Sequence, residues 1–411
     1  MEIKKILNLL NKNSEIIFLI FFLVFLLSTI FVANIAFRVQ DIFPNLAWSF
    51  LHGKTYFYNE INNPDIIFYQ SQYYWHMPPL PAVILIPVVF IFNGPVHQGA
   101  INIILHVILF LIIYYFCCLK FNFSKTDSLW LAILYLFSSV FISSMVLIES
   151  YFYAQIITTL LLFLSLIEIY SKKRYWLIGI YFALILLTRY TAALTILFFI
   201  LILIFSNITP KNKVKKMAML FVPIFMAIII LGLYNYLRFE QIFINSYQLT
   251  SSYIKDTIIH PYGLFDLRYI PTNFYYYFLE GFTPILKDVP ANIPRYILKY
   301  PYITINKLGA TSFFLISPLF LLLYKADWTN AKIKYALITS GIILLILLSY
   351  FYNGHSQIGP RYLNDILPLL FLILLYIFQK NKLNYKHKLV IFFSVILNIY
   401  LWFTLIKPLL N

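Results

Sequence analysis

Charge is scarce in this chain. Only 11% of its 411 residues are Asp, Glu, Lys or Arg, while 62% are hydrophobic and 20% aromatic; a soluble domain carries about a quarter charged residues. That composition excludes an ordinary soluble fold and implies a polytopic membrane protein. Cysteine is nearly absent. Cys117 and Cys118 are adjacent, so neither a disulfide framework nor a cysteine metal site of ordinary ligand spacing can be drawn. No GxGxxG, Walker, HExxH or nucleophile-elbow motif is present, which argues against a nucleotide fold. Asp-x-Asp spacing, fixed-period repeats and low-complexity tracts are missing too. Acids are few, 15 against 31 basic residues, for a net charge of +16. In a soluble protein this would suggest nucleic acid, but membrane proteins collect Lys and Arg in cytoplasmic loops for topological reasons, so no nucleic-acid partner is expected.

What the chain has in abundance is apolar runs. Segments that read as spanning helices fall near 15–36, 100–118, 128–148, 150–171, 175–189, 190–207, 217–237, 309–324, 335–352, 361–379 and 388–406, about eleven in all. The first is too long for a signal-peptide core and lacks a small-residue cleavage site, so it reads as a retained span. The expected fold is an all-α polytopic helix bundle, one integral membrane domain over 1–411. A further apolar stretch, Pro78 to Phe92, carries four prolines, and whether it crosses decides the topology.

Charge placement favours a stretch that does not cross. With the N-terminus inside, Lys4, Lys5, Lys12, Lys120, Lys125, the Lys172–Arg174 run, the Lys211–Lys216 cluster, Lys325, Lys332, Lys334 and the Lys380–Lys388 cluster then fall on the cytoplasmic side. Those are nineteen of the 31 basic residues, all in short loops. Residues 37–99 become a first extracytoplasmic loop with interfacial helices, and 238–308 a large one, rich in tyrosine. Ten of the 15 acids, among them Asp41, Asp65, Glu149 and Asp365, then lie outside.

The stretch from Phe37 to Leu80 emerges from the first span with polar, aromatic and acidic residues packed before a Pro-Pro step. Asp41 sits about one helical turn beyond the exit, where a carboxylate stays ionised yet faces a lipid-embedded ligand; as plain structure it is a helix-capping aspartate. Glu149 interrupts a small and apolar run where one span ends and the next begins, either solvated at a turn or aimed into a cavity. Glu168, four residues before Lys172, reads as a helix-end ion pair. Arg189, in LILLTRYTAAL, suits an anionic partner such as phosphate, or snorkels at the interface. The motif GHSQIGPRYLNDILPLL gathers His355, Arg361, Tyr362 and Asp365; Arg361 and Asp365, four apart, would pair with each other on one helical face. His76 in WHMPPL is either a polar contact for a substrate or a structural histidine.

Taken together these segments resemble the GT-C superfamily of polyprenyl-phosphate-sugar-dependent membrane glycosyltransferases, of the protein mannosyltransferase and aminoarabinose transferase type. The resemblance rests on Asp41 after the first span, LAWSFLHGKTYF, HMPPL at His76, VLIES at Glu149, LTRYTA at Arg189 and GPRYLNDILPLL, in order over most of the chain. It implies a GT-C-like bundle with outer-face juxtamembrane helices, and transfer of a sugar from a polyprenyl-phosphate carrier to an acceptor on the extracytoplasmic face with inversion. Asp41 would be general base, and Arg189 and Arg361 would steady the phosphate. Glu149 would orient acceptor or sugar, or hold a divalent ion if one were used; a metal-independent reaction is favoured, with no cofactor required. His76, His355 and Tyr362 would contact substrate. Two departures stand out: Asp41-Ile42 replaces an acidic pair found in many relatives, and no soluble C-terminal domain follows the last span. The acceptor, whether protein, lipid or glycan, is not named by any motif, and membrane lipid is the other expected partner. A microbial plasma membrane, with the site facing outside, fits the short loops. A transporter or flippase of a lipid-linked or amphipathic substrate would also explain charges near spans, but calls for pseudo-symmetric halves with broken helices. A non-catalytic scaffold of a glycan assembly complex is the third reading.

Overall fold

The computed structural model describes residues 2–36, 41–250, 253–254, 261–286, 298–306, 311–354 and 357–410. It is a helical membrane bundle. Six described helices are long and apolar enough to cross a bilayer: Ser14–Ile35, Gln98–Lys120, Ser150–Ile169, Pro210–Phe239, Ala331–Ser349 and Tyr385–Ile406. In chain order the first part consists of α1 (Glu2–Ile35), α2 (Ile42–Leu51), β1 (Ile66–Tyr69), β2 (Gln72–Trp75), α3 (Leu80–Ile91) and α4 (Gln98–Tyr115). There follow α5 (Lys125–Phe137), α6 (Ile142–Val146), α7 (Ser150–Ile169), α8 (Tyr175–Leu186), α9 (Tyr190–Ala193), α10 (Ile196–Ile204) and α11 (Pro210–Phe239).

The other expected spans are shorter or interrupted, and each break has a local cause. The segment expected at 128–148 parts into α5 and α6. There Ser139 donates its hydroxyl to the Tyr135 carbonyl at 2.5 Å and accepts the Phe141 N–H at 3.1 Å, a side-chain substitute for helical bonding. At 309–324, Ser317 leaves the helical region (φ -129°, ψ 60°) before Pro318, where helical backbone is disfavoured in the residue preceding proline, and a 3₁₀ helix follows over Pro318–Lys325. Between α8 and α9 the Thr188 hydroxyl turns back onto the Leu184 carbonyl and Arg189 is extended. α3 has twelve residues, about 18 Å at 1.5 Å per residue, short of the ~30 Å hydrocarbon thickness.

α7 is the central helix. Of its apolar window 83% is buried inside the protein, against 28% for α1 and α11, so the latter two turn large apolar side chains such as Phe21 and Leu233 outward. In a bilayer that outward face meets lipid tails, and cohesion comes from close packing and inter-helix hydrogen bonds. Glycine allows the closest approaches. A Cβ on Gly99 of α4 would lie 1.8 Å from the Asn34 carbonyl oxygen of α1, and one on Gly179 of α8 would lie 2.5 Å from the Leu220 carbonyl oxygen of α11. The buried amides of Asn34 and Asn102 bond to one another at 3.2 Å, and Asn34 also donates to the Met145 carbonyl. These groups tie α1, α4 and α6 together.

Among the described residues, two antiparallel strand pairs modify the purely helical expectation. β1 and β2 pair from Ile66 opposite Trp75 to Tyr69 opposite Gln72, joined by Gln70 and Ser71, both with positive φ, the twist favoured by two-residue hairpin turns. Ile67 and Tyr74 of this hairpin pack on Phe239 at the end of α11. Thr283–Leu286 and Leu298–Thr304 form a second antiparallel pair.

Candidate functional site

The β1–β2 hairpin sets the first group of polar side chains. Its register places Asp65, just before β1, beside His76, just after β2. Tyr151, in the first turn of α7, bridges them: its hydroxyl donates to Asp65 Oδ2, and His76 Nε2 lies 3.2 Å from the same hydroxyl. The backbone around His76 is held on each side. Arg238 donates to the Trp75 carbonyl at 2.5 Å, the Ser246 hydroxyl donates to the His76 carbonyl at 2.7 Å, and the Leu80 N–H donates to the Leu187 carbonyl at 3.0 Å. Burial pushes the His76 imidazole down to about 4; Asp65 opposes this and the Arg238 guanidinium adds to it.

Arg189, extended between α8 and α9, forms the second group. Its Nε lies 2.5 Å from Asp365 Oδ1, and the Thr191 hydroxyl donates to Asp365 Oδ2, also at 2.5 Å. The expected pairing of Arg361 with Asp365 is therefore replaced by Arg189 with Asp365. Residues Arg361–Asp365 form a 3₁₀ helix, and at three residues per turn positions four apart no longer share a face. Arg361 is buried, its guanidinium carbon 5.1 Å from the Tyr151 ring centroid, 5.3 Å from Phe152 and 5.4 Å from Tyr362. No acceptor among the described residues reaches its Nε. Glu149 occupies the position before α7 with no capping bond from its side chain. Burial holds its carboxyl above the usual range, the Arg361 charge pulls it back, and Asp65 adds to the rise.

Asp41 forms the third. It stands before α2, yet its side chain does not cap that helix. Instead Oδ1 accepts the Gln98 N–H, the first of α4, at 3.0 Å, and Oδ2 lies 3.3 Å from His97 Nδ1. His97 Nε2 in turn lies 2.9 Å from the Asn34 carbonyl oxygen. The close α1–α4 approach at Gly99 thus brings His97 and Asp41 together, with 26% of the Asp41 side chain still exposed. Glu168, expected to pair with Lys172, pairs with Arg174 at 2.7 Å, because α7 ends and the chain reverses through Lys173 with positive φ.

A cavity of about 590 Å³ opens beside the first two groups. His76, Arg189, Tyr247, Tyr350 and Tyr362 supply polar groups to its wall, while Leu186, Ile228, Leu231 and Ile244 supply apolar ones. Of the residues singled out from sequence, His76, Arg189 and Tyr362 line it; Asp41, Glu149 and Arg361 are not among its lining residues. His355 lies outside the described residues. Sequence reasoning passed over Asp65, Tyr151 and Arg238 as site residues. Asp65 was findable as an acid inside the stretch between the first span and HMPPL, but nothing in the sequence signalled that Tyr151 would reach it. Among the described residues no three His, Cys, Asp or Glu side chains converge as a metal ion would require.

Fold and cavity define a polytopic helical membrane protein whose chamber is polar on part of its wall and apolar on the rest. Residues 76–235 match the family described as dolichyl-phosphate-mannose-protein mannosyltransferase, so the resemblance to the GT-C membrane glycosyltransferases holds over that segment, from His76 through Glu149 and Arg189. No curated protein matches the chain. Among solved structures it is similar to the oligosaccharyltransferase of Archaeoglobus fulgidus in the apo form, and to the archaeal oligosaccharyltransferase AglB of the same organism in complex with an inhibitory peptide and a dolichol-phosphate. Each is 14% identical with a TM-score of 0.45, the match covering 92% of this chain and 54% or 55% of theirs. The chain thus spans about half the length of those structures.

Proposed function

We propose that this protein is a membrane glycosyltransferase that moves one sugar from a polyprenyl-phosphate carrier to an acceptor on the extracytoplasmic face. The observation that carries this reading is the coincidence of the family match at 76–235 with a chamber whose wall joins Arg189 and His76 to an apolar surface. An amphipathic donor needs that pairing: a cation for its phosphate and an apolar wall for its tail. The acceptor oxygen attacks the anomeric carbon, the bond from that carbon to the phosphate oxygen breaks, and polyprenyl phosphate leaves with the bonding electrons, so configuration inverts. The acceptor hydroxyl proton passes to Asp41, a role taken from the resemblance and compatible with a carboxylate that is partly exposed and bound to one N–H and one imidazole. Charge growing on the leaving phosphate is met by Arg189, with Arg361 acting from behind the Tyr151 and Tyr362 rings. Glu149 orients the acceptor or sugar. In this reading residues 37–99 and 238–308 are the extracytoplasmic loops, and the membrane is a microbial plasma membrane.

Purified protein in lipid, given a panel of polyprenyl-phosphate sugars and acceptors, should release polyprenyl phosphate. Asp41→Asn should lower the rate about 10²- to 10⁴-fold, the range for loss of a general base. Undiminished release by a folded Asp41→Asn protein would remove Asp41 from the chemistry.

One observation favours a second reading. The break between α8 and α9 lines the cavity through Leu186, Thr188 and Arg189, and discontinuous helices around a binding site are a transporter feature. A flippase would move the lipid-linked sugar across the bilayer without cleaving it, so translocation with no release of polyprenyl phosphate would replace the transferase reading.

A further inference from the structure

Between Asp65 and the cavity runs a short line of hydrogen bonds whose proton positions follow from its two ends. Tyr151 has one hydroxyl proton, and it points to Asp65 Oδ2. The contact of 3.2 Å between Tyr151 Oη and His76 Nε2 then needs a proton from the histidine, because the tyrosine has none left to give. The edge of His76 that remains is Nδ1, and His76 lines the cavity. The imidazole cannot easily turn to exchange its edges. Its carbonyl is held by Ser246, the preceding carbonyl by Arg238, and its ring lies against Trp75 at 4.6 Å and Tyr247 at 5.2 Å between centroids.

We propose that Asp65 acts through Tyr151 to hold His76 as the tautomer protonated on Nε2, so that Nδ1 offers a hydrogen-bond acceptor to a hydroxyl of the sugar in the cavity. This rests on the transferase reading for the identity of the hydroxyl, though not for the tautomer. Asp65 and Tyr151 are positioning residues, and His76 is the contact. The device divides the cavity wall by chemistry: Arg189 provides N–H donors for an anion, and His76 provides a lone pair that a phosphate oxygen would repel and a hydroxyl would satisfy. A cationic His76 would instead compete with Arg189 for the phosphate. The imidazole faces one acid, Asp65, and one guanidinium, Arg238, and its burial keeps it uncharged near neutral pH.

Protein labelled with ¹⁵N-histidine and reconstituted in lipid tests both halves. The His76 resonances are identified as those lost in His76→Gln. The expected pattern at pH 7 is a protonated Nε2 and a bare Nδ1, and Tyr151→Phe should convert it to a mixture of tautomers. If that variant does not fold, Asp65→Ala should do the same. Nδ1 protonated in the wild type, an imidazolium, or a pattern indifferent to both substitutions would overturn the proposal. Adding polyprenyl-phosphate mannose, glucose and galactose in turn should move the Nδ1 resonance upfield for at least one, while Nε2 stays in place. No movement with any of the three would overturn the hydroxyl contact. Absence of polyprenyl phosphate release by wild-type protein would separately remove the transferase reading, since both nuclear resonance readouts are made without turnover.

Discussion

Arg189 shows how much one side chain can depend on a distant partner. Its charge is balanced by Asp365, whose side chain is only 1% exposed, so removing either residue strands a buried charge. Arg189→Leu should cost about 3–5 kcal/mol, read as a lower thermal midpoint in detergent. The pair Arg189→Leu with Asp365→Leu should regain most of that stability while release of polyprenyl phosphate stays lost. Recovery of activity in the double variant would show the pair to be structural. His76 carries a pH dependence of known sign. Its folded value of about 4 lies below the ordinary 6.5, so the unfolded chain binds the extra proton across that interval and stability falls as pH drops from 6.5 toward 4. His76→Gln should flatten the fall in thermal midpoint over this window. A slope unchanged by the substitution would place the titration elsewhere.

Secondary-structure elements hold these residues through close approaches. α4 can carry His97 to Asp41 only because Gly99 admits the α1 backbone. Gly99→Ala, with its Cβ 1.8 Å from a carbonyl oxygen, should cost about 1–3 kcal/mol or more as the helices separate, and should weaken activity along with stability. Gly341, in the Ala331–Ser349 helix, meets nothing within 4 Å. Alanine there should stabilise by up to about 1 kcal/mol through helix propensity. Comparing thermal midpoints of the two variants separates packing from propensity. Element boundaries were less legible than element existence. Apolar runs at 128–148 and 309–324 carry no charge to mark an end, and the breaks follow from Ser139 and the Ser317-Pro318 step, local signals easily outweighed by hydropathy. The 3₁₀ turn at Arg361–Asp365 hid the true ion pair for a similar reason, since helical spacing was assumed where three residues complete a turn.

At the scale of the whole molecule, ion pairs tie the Lys380–Lys388 segment to three other parts of the chain. Lys388 lies 2.8 Å from Glu15 and 2.9 Å from Asp127, while Lys380 lies 3.6 Å from Asp327. The proposed topology puts these segments on one side of the membrane, and the contacts place them together in space. Single cysteines introduced in a background lacking Cys117 and Cys118 test the sidedness. Lys173→Cys should react with a membrane-impermeant reagent only after the cytoplasmic face is opened, and Phe243→Cys, 93% exposed beside the cavity, should react in intact cells. Reaction of both from the same side would overturn the proposed topology. The membrane class, the helical character, the order of the apolar runs and the gathering of lysines into short loops were set by the sequence alone, because hydropathy and charge bias act locally along the chain. Which acid meets which base was decided only by the tertiary structure. Asp365 lies 176 positions from Arg189 and Tyr151 lies 86 from Asp65, and such pairings exist only once helices pack, where a buried charge or hydroxyl takes whatever partner the packing brings within reach.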